Sequence, residues 1–490
     1  MSSARRRPEL QPAASGVPIL APVEELPRIN LRSEAEPWEL RYQAGEALRQ
    51  RVPHAAHADW EAPADRPDPV ATVLASNAGR QRHLIPLRMF RMAESAFSFV
   101  RGAAAVMAFD LSRTPVSGIS VFLDGDAHLE NFGLFGTPTL DVVLDLNDFD
   151  EVTAGPWEWD LKRLVTSVEV AGRAQKLSRR ERRAAAMGVM AAYRTAMREL
   201  ASFGAVDTWY LTANADALRM TGIHIGGRAR AALREVAGKA RKRNNATLLA
   251  KIGERRVDGG WRLKMDPPVL TRVGETARQK VLVALEHYAE TLPRERRFML
   301  QRYNVVDVAH QVVGVGSVGT RAYLALLFGN SDQDALFLQV KEAIEPALAP
   351  YVPKLPEPYA SDNGHRVVYG QRLLQAIGDP LLGWTSIDGR SYYVRQMRNL
   401  KGSLPVTWLA NKSFGFYPGV LAALLARAHA RTGDAAAIAG YFGEGDTLGA
   451  AFAHWAEAYG DQNEADHAAL VAAIGDGRVA ASSEAKMIED

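Results

Sequence analysis

Cysteine is absent from all 490 residues of the chain. Its absence excludes disulfide bonds, thiolate nucleophiles and zinc sites built from thiolates, and it is compatible with a reducing cytoplasm, where we expect the protein to act. Long hydrophobic runs are absent as well: there is no stretch of about 18 apolar residues, the length that spans a bilayer. No apolar segment follows the basic residues of 1–7. We therefore expect neither a membrane span nor a signal peptide.

An excess of one charge is the third missing feature. The chain has 59 Lys and Arg against 56 Asp and Glu, which leaves a formal net charge of +3. So close a balance indicates no partner that is recognised by net charge, such as nucleic acid or an anionic membrane. A basic stretch at 226–251 is predicted to be the solvated face of a helix. The hydrophobic content, 47% over this length, is sufficient for a large core divided between two or more lobes.

The hydrophobic pattern predicts a mixture of helices and strands. The predicted helices are 37–50, Trp157–Ala174, 179–203, 278–291, 366–376 and most of 418–473. The predicted strands are 119–123, 140–146, 304–313, 323–328, 335–340 and 391–397, with a hairpin at 252–275. This mixture indicates an α+β fold class.

A dense group of acidic and amide residues stands at 124–131, with the sequence Asp-Gly-Asp-Ala-His-Leu-Glu-Asn. Phosphoryl transfer requires an Asp that takes or orients the proton of the acceptor hydroxyl, and we assign that catalytic role to Asp126. Asn131 follows five residues later, a spacing that lets its amide oxygen bind magnesium while Asp126 faces the substrate. His128 is predicted to hydrogen-bond within this catalytic loop and to hold it rigid.

A second metal ligand is expected from the Asp-rich segment 145–151, because magnesium prefers oxygen ligands. Two sequence spacings, one counted from Asn131 and one from Asp160, favour different residues as this metal ligand. Counted forward from Asn131, Asp145 lies nearer to the spacing of kinases. Counted back from Asp160, Asp148 fits better. The metal Asp of aminoglycoside-type kinases is followed by an aromatic residue, by a Gly seven positions on and by an Asp twelve positions on. The series Asp148, Phe149, Gly155 and Asp160 is similar to this pattern. We favour Asp148, keep Asp145 as the alternative, and expect Asp160 to anchor the catalytic loop from its helix.

A nucleotide-binding half is predicted far downstream, where the chain matches Gly-x-Gly-x-x-Gly. Glycines in such a loop let backbone amides approach a triphosphate closely. The apolar strand that follows leads to a Lys that could neutralise the α- and β-phosphates. The residues predicted to bind the cofactor here are Gly314, Gly316, Ser317, Gly319 and Lys341.

Two further features belong to this half. The strand at 391–397 is predicted to enter a hinge against adenine, which makes Gln396 another candidate for cofactor binding. Kinases orient the Lys with an acidic residue of a helix, and that partner stays open for Lys341. The acidic residues considered for it are Glu342, Glu345 and Glu357.

The order of the two halves is the reverse of that in protein kinases, in which the glycine loop and its Lys precede the catalytic Asp. The sequence therefore predicts a protein-kinase-like, two-lobe α+β fold that is circularly permuted. The expected segments are a partly disordered N-terminal extension at 1–75, a helical catalytic-lobe segment at 76–300, a β-rich nucleotide-binding lobe at 301–405, and C-terminal helices that complete the catalytic lobe at 406–490. ATP and Mg²⁺ are the implied cofactors.

The catalytic loop resembles that of aminoglycoside phosphotransferases and related small-molecule kinases, except that Asp124 replaces the His that opens their motif. From roughly residue 80 to residue 470, the chain also resembles the uncharacterised bacterial family called domain of unknown function 2252. The segments that carry this second resemblance are 97–102, 125–133, 147–151, 155–163, 313–320, 338–343, 393–396 and 428–431. Since that family implies no activity, the functional hypothesis depends on the residues. Arg101, Arg395 and His429 are further polar candidates, for the site or for internal salt bridges.

The favoured function is an ATP- and Mg²⁺-dependent phosphotransferase acting on a hydroxyl-bearing small molecule or peptide, and nucleotidyl transfer fits the same residues. A pseudokinase that binds nucleotide without catalysis is the first alternative. A metal-dependent phosphoesterase is another, although the histidines lack the spacing of a two-metal site. The glycine loop alone also fits a dinucleotide-binding turn, but Gln339 stands near the position where that turn requires an acidic residue.

Overall fold

The structure is a computed structural model, and it describes residues 36–137, 141–212, 244–312, 314–397 and 417–484, together with 235, 238, 402 and 403. The predictions of disorder before residue 36, and of a helix over most of 226–251, lie outside the described residues. The fold is of the α+β class, as predicted. Within the part of the chain that is described, no helix is long and apolar enough to cross a membrane.

The helices have the following bounds: α1 (Trp38–Arg51), α2 (Pro69–Ala75), α3 (Ile85–Ala93), α4 (Ala96–Gly102), α5 (Ala104–Ser112), α6 (Trp157–Ala174), α7 (Arg179–Ala201), α8 (Ala205–Tyr210), α9 (Asn245–Ile252), α10 (Glu275–Glu290), α11 (Arg294–Leu300), α12 (Asn363–Leu374), α13 (Tyr417–Ala430), α14 (Ala435–Phe442) and α15 (Thr447–Gly475). Short 3₁₀ helices cover His54–His57, Arg82–Leu84 and Ala349–Tyr351.

The strands are β1 (Ser120–Leu123), β2 (Phe132–Gly136), β3 (Val142–Leu146), β4 (Thr153–Pro156), β5 (Gly253–Arg255), β6 (Trp261–Leu263), β7 (Leu270–Arg272), β8 (Asn304–Gln311), β9 (Ala322–Phe328), β10 (Ala335–Glu342), β11 (Gly383–Ile387), β12 (Arg390–Gln396) and β13 (Gly402–Ser403). They form an antiparallel sheet of six strands in the order β11-β12-β10-β9-β8-β7, a sheet in the order β13-β2-β3, and the pairs β1-β4 and β5-β6.

The six-stranded sheet is covered on one face by α10, whose Val281, Ala284 and Tyr288 pack in one core with Leu338 and Val340 of β10. All eight residues of β10 are buried, because both faces of the strand are covered. Successive side chains of a strand point to opposite faces. Gln339 and Lys341 of β10 therefore point away from α10, toward the helical half of the molecule.

The helical half is built around α6. Sixteen of its eighteen residues are buried, as expected of a helix that is enclosed on all sides. The largest hydrophobic core joins α6 to α7, α13 and α15, and it includes the apolar residues of β1, β2 and β3. The loops that carry the predicted catalytic residues therefore stand on a rigid base.

Helix boundaries differ from the prediction where capping residues set them. The helix predicted at 366–376 begins earlier, at Asn363, because the Asp362 carboxylate accepts hydrogen bonds from the N–H groups of Gly364 and His365 at 2.9 and 3.2 Å. The helical region predicted at 418–473 is divided into α13, α14 and α15, and Asp434 caps the start of α14. At these two helices, a local side-chain acceptor decides where the helix begins.

Candidate functional site

The predicted catalytic loop, residues 124–131, joins β1 to β2, and Asp160 of α6 holds it in place. One carboxylate oxygen of Asp160 accepts a hydrogen bond from the Asp124 N–H at 2.7 Å, and the other accepts from the Gly125 N–H at 2.9 Å. Gly125 has φ +79°, and a Cβ added there would lie 2.1 Å from the Glu151 carbonyl oxygen. The prediction that Asp160 anchors this loop is therefore confirmed, and a side chain at residue 125 would disrupt it.

Asp126 lies on this loop beside a buried arginine that the sequence analysis did not single out. The Arg163 Nε donates to Asp126 Oδ1 at 2.5 Å, and its Nη2 donates to the Val100 carbonyl at 2.8 Å. Burial raises the pKa of the Asp126 carboxyl to about 7, against the opposing effect of the Arg163 charge. A carboxyl with a pKa near 7 is suited to accept a proton at neutral pH.

His128 hydrogen-bonds within the loop, as predicted. Its Nδ1 accepts from the Glu130 N–H at 3.2 Å, so the ring proton is assigned to Nε2, which lies 3.6 Å from Asp126 Oδ2. Burial, followed by the charges of Arg101 and Arg163, lowers the pKa of His128 well below its usual value. A neutral imidazole therefore faces Asp126 and restrains its carboxylate.

Asn131 joins the catalytic loop to the Asp-rich segment. Its Nδ2 donates to Asp124 Oδ2 at 2.8 Å and to the Asp148 carbonyl at 3.1 Å. Burial, and then the negative charge of Asp160, raise the pKa of Asp124 well above its usual value. The Asp124 carboxylate thus orients the Asn131 amide.

Lys341 lies against this same group, although it is 193 positions from Asp148 in the sequence. Its Nζ contacts Asp150 Oδ2 and lies 3.4 Å from Asp148 Oδ1. Burial lowers the pKa of the amine, but the charges of Asp148 and Asp150 outweigh this effect and raise the pKa above its usual value. The residues proposed for the phosphates and for the metal thus come together in the fold, with Lys341 beside Asp148 and Asn131 bonded to the Asp148 backbone.

The acidic partner of Lys341 is Asp150, which was not among the predicted candidates. Asp150 Oδ1 also accepts from the Tyr393 hydroxyl at 2.9 Å. Glu342 instead pairs with Arg321 at 3.2 Å and with Arg390 at 3.1 Å, and Glu357 accepts from a serine hydroxyl on its own loop. Asp150 lies in the Asp-rich segment that the sequence analysis noticed, but only the fold shows which of its carboxylates meets Lys341.

The glycine loop joins the antiparallel strands β8 and β9. A dinucleotide-binding turn would instead open a helix after a strand of a parallel sheet, so this topology contradicts that alternative. Gly314 and Gly319 have φ +73° and +89°, which favours glycine at both positions. The Ser317 hydroxyl lies 3.3 Å from Asp150 Oδ2, which brings the loop over the carboxylates.

Two arginines from the segment that precedes the catalytic loop hold the glycine loop from outside. The Arg91 Nη1 donates to the Gly314 carbonyl at 2.6 Å, and the Arg80 Nη1 donates to the Val318 carbonyl at 2.8 Å. A Cβ added at Gly316 would lie 3.0 Å from the Arg101 carbonyl oxygen. The two halves of the site therefore meet at the ends of α3 and α4.

Two predicted site residues have other partners. Asp145 and Arg427 are both 2% exposed and form an ion pair at 2.5 Å, and the Ala376 N–H donates to the second Asp145 oxygen at 3.2 Å. Gln396 hydrogen-bonds to Asp379 through its backbone N–H at 2.6 Å and its Nε2 at 2.7 Å. Neither side chain belongs to the group around Lys341.

The three further polar candidates all contact elements of the site. Arg101 pairs with Glu130 of the catalytic loop at 2.7 Å. The Arg395 Nη1 donates to the Asn147 carbonyl at 3.0 Å, next to Asp148. His429 Nε2 lies 3.2 Å from Asp160 Oδ2, so it supports the anchor of the catalytic loop.

Arg163 could have been found from the sequence. It lies three residues after Asp160 on α6, and residues three apart on a helix share a face. The helix therefore presents to one loop both the acceptor that holds its backbone and the cation that contacts Asp126.

The arrangement can bind an anion beside Lys341 and the amides of the glycine loop, and it can accept a proton at Asp126. A family model described as "Uncharacterized protein conserved in bacteria (DUF2252)" matches residues 80–473. No curated protein and no solved structure shows a significant match to the chain.

Proposed function

We propose that this chain, which belongs to the bacterial family DUF2252, is an ATP- and Mg²⁺-dependent phosphotransferase that acts on a hydroxyl group. One observation carries the proposal: a buried Lys, the carboxylates of Asp148 and Asp150, and the Asn131 amide come together from segments 193 positions apart in the sequence. A buried cation among carboxylates, under a glycine loop, is the arrangement that kinases use to bind nucleotide phosphates and their metal.

The strand order supports a permuted, kinase-like version of this arrangement. In kinases the glycine loop is followed by a strand that carries the Lys and then by a helix. Here the loop joins β8 and β9, Lys341 stands on β10, and α12 follows before β11. One departure is that α12 has no acidic residue. Asp150, from the catalytic half, takes the place of the helix Glu as the partner of Lys341.

The residues present fit a magnesium ion that arrives with a nucleotide. Magnesium binds to one or two carboxylates and completes its shell with water and phosphate oxygens. The Asp148 carboxylate is 42% exposed, and the Asn131 amide adjoins the Asp148 backbone. Bound there, the metal would neutralise charge on the phosphates. Among the described residues, no three His, Asp or Glu side chains are grouped to hold a metal, which favours a nucleotide-borne ion over the two-metal phosphoesterase alternative.

The transfer step follows from the positions of the protein groups. Lys341 holds the nucleotide phosphates, and Asp126 takes the proton of the acceptor hydroxyl as its oxygen forms a bond to the γ-phosphorus. The bond from that phosphorus to the β–γ bridging oxygen breaks, and the bridging oxygen keeps the electron pair and leaves with ADP. Since positioning and charge neutralisation supply most of the catalysis in this reaction, the ion pair of Asp126 with Arg163 matters for orientation as well as for basicity.

Thermal shift of the full chain with Mg²⁺ and ATP tests the proposal. ATP with magnesium should raise the melting temperature of the wild type, and ATP with a chelator should raise it less. Asp148→Ala should lose the magnesium-dependent part of the shift, because the metal loses its carboxylate. Asp126→Ala should keep the shift and lose transfer, because its partner is the acceptor hydroxyl.

Three results have different meanings in this experiment. The absence of any shift in the wild type would contradict the proposal. Equal loss of the shift in both variants would show that the roles of Asp126 and Asp148 are wrongly divided. A full magnesium-dependent shift, without consumption of ATP over a broad range of hydroxyl acceptors, would favour the pseudokinase.

A further inference from the structure

Arg101 lies where the catalytic loop, the glycine loop and α4 meet. Its guanidinium pairs with Glu130 at 2.7 Å, and Glu130 directly precedes Asn131 in the sequence. Its carbonyl oxygen would lie 3.0 Å from a Cβ at Gly316. The preceding carbonyl, of Val100, accepts from the same Arg163 that contacts Asp126. Arg101 is therefore tied to both halves of the site through the backbone of α4.

Arg163, the other arginine near the catalytic loop, has a partner for each nitrogen of its guanidinium group. Arg163 is 3% exposed, and its guanidinium donates to Asp126, to the Val100 carbonyl and to Met107 Sδ. It cannot leave these partners without releasing Asp126. Arg101, by contrast, is 25% exposed, and its Nε has no hydrogen-bond partner among the described residues.

The pair of Arg101 with Glu130 can be exchanged for another anion at low cost. Glu130 is 27% exposed, and ion pairs at such partly exposed positions contribute about 0–1 kcal/mol. Unlike Arg163, which is committed to buried partners, Arg101 can therefore turn toward an incoming phosphoryl group.

We propose that Arg101 is a further catalytic residue, which leaves Glu130 and neutralises the equatorial oxygens of the γ-phosphoryl group during transfer. This inference rests on the proposed phosphotransferase function. Lys341 lies on the nucleotide side of the transferring group and Asp126 on the acceptor side, where a negative carboxylate faces a group that gains negative charge. A cation that reaches the transferring group from within the same chain offsets that repulsion, and such an arginine has a large effect on the rate in nucleotide hydrolases.

A transition-state mimic tests this role without knowledge of the acceptor. Calorimetry of the full chain compares Mg²⁺-ADP alone with Mg²⁺-ADP plus aluminium fluoride, which imitates the phosphoryl group in flight. In the wild type, aluminium fluoride should increase the affinity for Mg²⁺-ADP. Arg101→Met should retain the affinity for ADP alone and lose about 100-fold of this tightening, the effect of removing one stabilising donor. Arg101→Lys should recover part of it.

Glu130→Gln is the matched control, because it breaks the same ion pair from the other side. If Arg101 acts on the phosphoryl group, this variant should bind the fluoride complex as tightly as the wild type or more tightly, since the arginine is released. A purely structural salt bridge would give the same loss in Arg101→Met and Glu130→Gln. Melting temperatures of the ligand-free variants show whether both proteins are folded.

The calorimetry distinguishes failure of the role of Arg101 from failure of the proposed phosphotransferase function. If the wild type binds no Mg²⁺-ADP, both are overturned. If it binds Mg²⁺-ADP but fluoride adds nothing, or if Arg101→Met behaves as the wild type, the nucleotide site stands and the role of Arg101 is refuted. Equal losses in Arg101→Met and Glu130→Gln would also refute it.

Discussion

Replacement of Asp145 by Asn should destabilise the protein and leave its response to magnesium intact. Asp145 and Arg427 are both 2% exposed and meet at 2.5 Å. The Asn side chain removes the countercharge and leaves a buried guanidinium, which costs about 3–5 kcal/mol. An unfolding entropy of about 2.1 cal/mol/K per residue, over a cooperative unit of about 250–490 residues, converts this cost into a fall of about 3–10 °C in melting temperature.

Differential scanning fluorimetry measures both properties in one experiment, with chelator and then with Mg²⁺-ADP. Asp148→Asn is the control: Asp148 is 42% exposed and Lys341 keeps Asp150, so the ligand-free melting temperature should change little while the magnesium-dependent gain disappears. The reasoning is refuted if Asp145→Asn melts like the wild type and loses the response to magnesium. In that case the forward count from Asn131 identified the metal ligand.

Three further outcomes are expected. The rate of transfer should increase with pH through about 7, because burial raises the pKa of Asp126 to about 7 and only the ionised carboxyl accepts a proton. Arg163→Met should move the midpoint of the pH–rate profile upward, since the charge of Arg163 lowers this pKa. An unchanged midpoint would exclude Asp126 as the titrating base. Lys162→Met should raise the melting temperature, and more at pH 6 than at pH 9. The Lys162 amine lies over the Trp455 ring at 4.8 Å and has no hydrogen-bond partner among the described residues, and burial lowers its pKa from 10.5 to about 7. The unfolded wild type therefore binds more protons between those values, and the stability of the wild type relative to the variant rises with pH there; a gain that is the same at both pH values would contradict this. Gly319→Ala should weaken Mg²⁺-ATP binding in calorimetry, because φ is +89° and the new Cβ would lie 3.1 Å from Arg80 Cβ, so the loop must change its conformation; unchanged affinity would show that the loop conformation is not required.

The catalytic loop is the part of the site that local sequence predicts best. The spacing from Asp148 to Asp160 correctly indicated a helix residue that anchors the loop, because a loop and the helix that follows it are close in sequence and their contacts are short-range. The glycine loop and the strand that leads to Lys341 were also predictable, since turn residues and apolar runs are local features.

The partner of Lys341 could not be predicted in the same way. Every candidate from the sequence lay within about twenty residues of the Lys, whereas Asp150 is 191 positions away. Long-range pairs of this kind depend on how segments that are far apart in the sequence pack against each other, and a spacing rule contains no information about that packing.

The sequence alone determined the α+β class, the Asp, Asn and Lys residues that we propose for phosphate and metal, and the order in which they follow one another along the chain. Only the tertiary structure decided which carboxylate each of them meets. Asp145 lies within β3, opposite Gly133 of β2, so its side-chain direction is set by the alternation of the strand and leads into the core at Arg427. Asp148 lies beyond the end of β3, where no strand ladder sets the direction of its side chain, and the packing of β10 against this turn brings Lys341 to it.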